Sequence, residues 1–190
     1  MKSPRVLLAV LAAGIAAASI AGPARPALAQ FKMVGGAQMY ETMNIIQNAQ
    51  NSQAHSTMMN AVRAAGLVET LSGPGPFTLF APTNDAFAKL PPGTIETLLK
   101  PESKAMLTKI LTCHIVAGTV LAAEIDKLIA DNKGTYALKT VGGCVLQARR
   151  VEDRITLTDE NGNVATVRIA DVKQSNGVIH VINGVMLPKK

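Results

Sequence analysis

The hydrophobic and polar positions of the chain change period near residue 136. Before it, apolar residues recur at helical spacing. Ile45, Ile46, Ala49, Met58, Met59, Val62, Ala65 and Leu67 are interleaved with Gln and Asn, which predicts two helices, the second ending near Gly66. Ser72-Gly73-Pro74-Gly75-Pro76 reads as a turn, and Phe77-Thr78-Leu79-Phe80 as a short apolar strand closed by Ala81-Pro82. Thr83 or Asn84 can cap a brief helix that turns Ala86, Phe87 and Leu90 inward, and Pro91-Pro92-Gly93 ends it. Thr94 starts another short helix with Ile95, Leu98 and Leu99 on one side. Pro101 opens the next, whose inward stripe reads as Ala105, Met106, Ile110 and Leu111. His114-Ile115-Val116 reads as a strand, and residues 121–129 as a helix burying Ile125, Leu128 and Ile129.

From Tyr136 onward the alternation has period two. Residues 137–141, 144–149, 154–158, 164–172 and 178–187 read as strands, with 159–163 a hairpin connection and Ser175-Asn176-Gly177 a turn. Helices first and strands afterwards, without regular βαβ alternation, predict an α+β fold. The 190 residues, 48% of them hydrophobic, suffice for one domain around one aliphatic core.

The first residues alter that picture. Lys2 and Arg5 precede an apolar stretch from Val6 to about Ala21, then Gly22-Pro23 and the small-x-small triplet Ala27-Leu28-Ala29. This is the form of a cleaved signal peptide. The alternative, a membrane anchor, needs roughly 20 apolar residues, and this run is shorter and rich in Ala and Gly. The expected arrangement is a leader at 1–29, a flexible lead-in at 30–40 and the domain at 41–190, in a secreted or periplasmic protein without stable membrane insertion. Without Lys2, Arg5 and Arg25, the formal charge of +6 falls to about +3. The remaining charges are interspersed, and only 3% of residues are aromatic with no Trp, which argues against nucleic-acid binding. The two cysteines, Cys113 and Cys144, fit either a disulfide or two buried thiols.

Three segments then carry a resemblance. They are Gly75-Pro76-Phe77-Thr78-Leu79-Phe80-Ala81-Pro82-Thr83-Asn84-Asp85-Ala86-Phe87, Ile110-Leu111-Thr112-Cys113-His114-Ile115-Val116-Ala117-Gly118, and Ser175-Asn176-Gly177-Val178-Ile179-His180-Val181-Ile182-Asn183 with Leu187-Pro188. In this order and spacing the chain resembles the fasciclin domain family from about Thr42 to Pro188. The resemblance implies a β-sandwich or wedge packed with helices, and a role in adhesion or extracellular interaction without general enzymatic activity. The central segment has Cys113 where the family usually has Tyr, so the integrin-binding role of that region in animal members is not carried over.

Candidate chemistry is sparse. Nothing has the local form of an activated nucleophile, a zinc motif or a phosphate-cradling loop. His180 alternates onto the apolar face of its strand, His114 sits at a helix-to-strand junction, and His55 among polar residues reads as exposed. Asp153 and Asp159 flank turns, where acidic groups are usually solvated. Thr83, Asn84, Asp85 and His114 are the candidate partner-binding surface, although capping accounts for the first three as well. The reading is an interaction module for a protein or polysaccharide of the cell envelope, with no cofactor. The rival reading is a periplasmic copper binder using Met33, Met39, Met43, His55, Met58 and Met59, since thioethers suit Cu(I).

Overall fold

A computed structural model describes residues 31–189; the leader lies outside the described residues. The first described segment departs from expectation. Strands β1 (Phe31–Val34) and β2 (Ala37–Tyr40) form an antiparallel hairpin. Gly35 and Gly36 turn it at φ 56° and 80°, the positive angles that two-residue hairpins favour. Val34 and Met39 are buried, and Lys32 Nζ donates to the Ala170 carbonyl at 2.6 Å. The expected lead-in is therefore part of the fold. Its strands have four residues each, too few for alternation to register against the glycines.

The helical half follows. Asn44 and Gln47 form a reciprocal cap on α1 (Ile45–Ala49). A 3-10 turn leads into α2 (Ser56–Ala65), which stops at left-handed Gly66, φ 76°. A short α3 (Val68–Ser72), not expected from the sequence, precedes β3 (Phe77–Pro82). Thr83 caps α4 (Asn84–Phe87), its Oγ1 accepting from Ala86 N at 3.3 Å. After α5 (Thr94–Leu98) and a 3-10 turn at Pro101–Ser103 comes α6 (Lys104–Thr112), which buries Leu107, Ile110 and Leu111. Ala105 and Met106, expected in that stripe, are exposed. The 3-10 turn at the entry delays the α-helical phase, so the inward face is 107, 110 and 111.

The remaining elements are β4 (Ile115–Ala117), α7 (Ala122–Asp131), β5 (Tyr136–Lys139), β6 (Val145–Val151), β7 (Arg154–Thr158), β8 (Val164–Gln174) and β9 (Gly177–Ile182). They complete a seven-stranded sheet of order β4-β3-β9-β8-β7-β6-β5. Its pairings are antiparallel except β3 with β9.

Instead of the single expected core, the sheet separates two. Leu79, Ala81, Ile179 and Val181 face a cluster filled by α1, α2, α3 and α6, while Phe80 and Ile182 face a second one lined by β5–β8 and α7. The alternation of β3 and β9 thus feeds both cores, which is why each reads as a continuous apolar run. The sheet curls into a wedge until its outer strands nearly meet. Val141 N, just past β5, donates to the Ile115 carbonyl of β4 at 2.7 Å, and Gly142 N to the Thr112 carbonyl at 3.0 Å. Cys113 and Cys144 are disulfide-bonded across this seam, with Cα atoms 5.3 Å apart.

One turn fixes how β9 starts. Asn176 is buried; its Oδ1 accepts from Ile45 N at 2.9 Å, and its Nδ2 donates to the Leu71 and Gly73 carbonyls, each at 2.8 Å. Gly177 beside it, at φ 152°, lies so close to β3 that a Cβ would stand 1.9 Å from the Phe77 carbonyl oxygen.

Candidate functional site

The histidines are placed by backbone groups that would otherwise be orphaned in the interior. At the end of α6, His114 Nδ1 donates to the Ile110 carbonyl at 2.8 Å, and its Nε2 accepts from Met186 N at 2.9 Å. His180 Nε2 donates to the Val120 carbonyl at 2.9 Å, its Nδ1 accepts from Asp171 N at 3.3 Å, and its ring stacks on Phe80 at 5.4 Å. Both rings must be neutral to accept, and burial agrees. It pushes His114 down to about 4, against the opposing pull of the Ile110 carbonyl and Asp159, and it lowers His180 as well, against Val120 and Asp171.

His114 is only 1% exposed, so it does not belong to the predicted binding surface. The junction between α6 and β4 lies under the C-terminal segment and needs both of its nitrogens there. His55, expected in solvent, is also buried, with Nδ1 2.9 Å from Ser52 Oγ; that hydroxyl reaches the Val34 carbonyl at 3.1 Å. Its Nε2 is enclosed without a hydrogen-bond partner, and burial lowers its pKa against the opposing pull of the Ala81 backbone. The β1–β2 hairpin, missed in the sequence, supplies the Val34 group in this arrangement.

The three remaining surface candidates divide. Thr83 holds the cap of α4. Asn84 is a strut between α4 and α2: its Oδ1 accepts from Thr57 N at 3.0 Å, while Nδ2 donates to the Gln53 carbonyl at 2.8 Å and to Ser56 Oγ at 3.0 Å. Asp85 alone is exposed. Asp159, expected in solvent at its hairpin, is 5% exposed and accepts four hydrogen bonds, from Asn161 N, Asn163 N, Asn163 Nδ2 and Leu187 N, at 2.8 to 2.9 Å. Of the soft donors, Met39, Met58 and Met59 are core, whereas Met33 is 53% exposed. Among the described residues no three His, Cys, Asp or Glu side chains are grouped to hold a metal ion.

A feature invisible in the sequence lies on the opposite flank. A groove of about 330 Å³ opens between α7 and the strands β6, β7 and β8. Its polar lining is Asp126 of α7, Arg150 of β6, Asp153 of the following turn, Arg154 of β7 and Arg168 of β8, over an apolar floor that includes Ile155 and Val167. Arg150 pairs with Asp126 through Nη1 and Oδ2, and its Nη2 donates to the Asp153 carbonyl at 3.4 Å. Asp126 Oδ1 is enclosed without a hydrogen-bond partner. The guanidinium groups of Arg154 and Arg168 have no partner among the described residues. Arg168 stands where the β8–β9 register shifts between Val167 and Ile169, a bulge that re-aims side chains. Sequence alternation could not assemble this group, because its members come from three strands, a turn and a helix.

Comparison with known proteins agrees with this architecture. The family model of the fasciclin domain matches residues 53–188. Protein sll1483 of Synechocystis is 46% identical over 156 residues, covering 82% of this chain and 79% of that protein. The cell surface glycolipoprotein MPB83 of Mycobacterium bovis is 34% identical over 145 residues, 74% of this chain but 58% of that protein. Among solved structures, the domain pair of the insect cell adhesion molecule fasciclin I superposes with a TM-score of 0.68 at 18% identity, over 76% of this chain and 51% of that one. This chain thus spans about half of the insect pair, the length of one of two domains. With the wedge, the capping at Thr83 and the Asn176-Gly177 turn all in place, the chain belongs to the fasciclin domain family.

Proposed function

We propose that the protein is an exported interaction module that binds a protein or polysaccharide partner at the cell envelope through its outer surface, without a cofactor. The observation that carries this reading is where the reactive side chains are. The three imidazoles are buried, and those of His114 and His180 use both ring nitrogens on backbone groups. An imidazole held that way has no free nitrogen to act as a general base. What the fold offers to other molecules is its exterior. The family membership supports this reading, as do a relative named a cell surface glycolipoprotein and a structural neighbour named an adhesion molecule. Among the described residues no helix is long and apolar enough to cross a membrane. Asp85 is the surface candidate that remains on the α4 flank.

The test is saturable adhesion. Beads coated with the protein lacking residues 1–29 should bind envelope fractions or envelope glycans, and the soluble protein should compete. Binding that neither saturates nor competes would remove the proposal. Asp85→Ala separates the α4 flank from the rest of the surface: lost adhesion with an unchanged melting temperature assigns the contact there.

A further inference from the structure

We infer that the groove between α7 and the β6–β8 strands is a binding site for a carboxylate-bearing sugar unit of an acidic polysaccharide. This rests on the interaction-module reading and gives it a ligand class. Its volume, about 330 Å³, falls within the range of small-ligand clefts. Its polar groups are of two kinds set side by side. Arg154 and Arg168 present guanidinium groups that nothing in the described protein engages; a carboxylate matches their fork geometry. Next to them stand the carboxylates of Asp126 and Asp153. Carboxylates accept the hydroxyl protons of a sugar ring, and the apolar floor at Ile155 and Val167 suits the ring's C–H faces. Arg150, tied to Asp126 and to the Asp153 carbonyl, fixes the wall between the two kinds.

The same arrangement disfavours an acidic peptide. β6, β7 and β8 are interior strands, so the groove offers no free sheet edge to hydrogen-bond an extended peptide backbone. A sugar that carries one carboxylate and several hydroxyls satisfies both halves of the groove at once.

The experiment titrates the protein lacking residues 1–29 with oligogalacturonate by calorimetry, with its methyl ester and poly-glutamate as comparisons. Binding of the acid form alone is expected, weakened about tenfold or more by Arg154→Ala with Arg168→Ala. The Lys versions of both positions should restore it only in part, since charge without the fork is insufficient. Lys127→Ala, a basic residue of α7 outside the groove lining, should leave it intact. Equal binding of the methyl ester, equal binding of poly-glutamate, or full binding by the Arg154→Ala, Arg168→Ala variant each overturns the inference. Both arginines are exposed, so thermal melting of that variant should match the parent. Absence of oligogalacturonate binding together with intact adhesion to envelope fractions sinks this site and leaves the interaction module standing; loss of both sinks the two together.

Discussion

His114 and Met186 are 72 residues apart in sequence and joined by one hydrogen bond, the backbone N–H of Met186 donating to Nε2 of the imidazole at 2.9 Å. The bond requires a neutral ring. The folded protein holds His114 near 4 because burial penalises its charge, whereas an unfolded chain titrates it at its ordinary 6.5. Above pH 6.5 both states carry a neutral ring and stability does not depend on it. As pH falls from 6.5 toward 4, the unfolded chain binds a proton that the folded one refuses, so stability is lost through that window and levels off below it. The span corresponds to about 3 kcal/mol. Burial lowers His55 and His180 too, so they add in the same direction. Urea midpoints measured between pH 7.5 and pH 4 should decline accordingly, and His114→Gln should flatten the decline. An unaltered slope in that variant would place the effect elsewhere.

Asn176 serves three backbone groups at once. Asn176→Ala orphans Ile45 N–H and the Leu71 and Gly73 carbonyls in the interior, a loss of roughly 3 kcal/mol or more. Asn176→Asp keeps the acceptor but turns a carboxylate toward two carbonyl oxygens, and should cost more than Ala at pH 7. Denaturant titration of both variants gives the order; Asp ranking milder than Ala would contradict it.

Gly177→Ala should be worse than an ordinary loop substitution. Its φ of 152° and the 1.9 Å approach to the Phe77 carbonyl leave no room for a methyl group without separating β3 from β9. Loss of soluble folded protein, or a fall in melting temperature well beyond that of Gly162→Ala, is expected. Gly162 has open space around its Cβ position, so it isolates the backbone strain from the clash.

The bond between Cys113 and Cys144 closes a loop of sequence separation 31. A loop of that size contributes about 4 kcal/mol through the unfolded state. Replacing both residues by Ala should lower stability by that order and leave the fold intact, since both are small and buried. Alkylation of the unfolded parent without reductant should leave its mass unchanged; a gain of two adducts would mean free thiols.

Much of this architecture could be read from the chain because its elements carry local signatures. The Gly66 stop, the Thr83 cap and the period-two strands after Tyr136 all stand where spacing and turn chemistry place them. The misreadings share a physical cause, namely that they depend on what packs on top. His55 looked exposed because its neighbours are polar, yet the β1–β2 hairpin covers it. Asp159 looked solvated because hairpin acids usually are, yet Leu187 closes over it from 28 residues away. His114, at a helix-to-strand junction, fits a surface as well as an interior, and only the position of the C-terminal segment decides. The arginine groove carries no local signature, since separation in sequence hides a cluster drawn from three strands, a turn and a helix.

The cystine also decides which parts of the domain can bear a mechanical load. A pull on the two ends passes directly from residue 113 to residue 144, so β4, α7 and β5 are never stretched however hard the molecule is drawn. The available extension shrinks by about 100 Å, at roughly 3.3 Å for each bypassed residue. Only the stretches on either side of that shortcut would yield under tension.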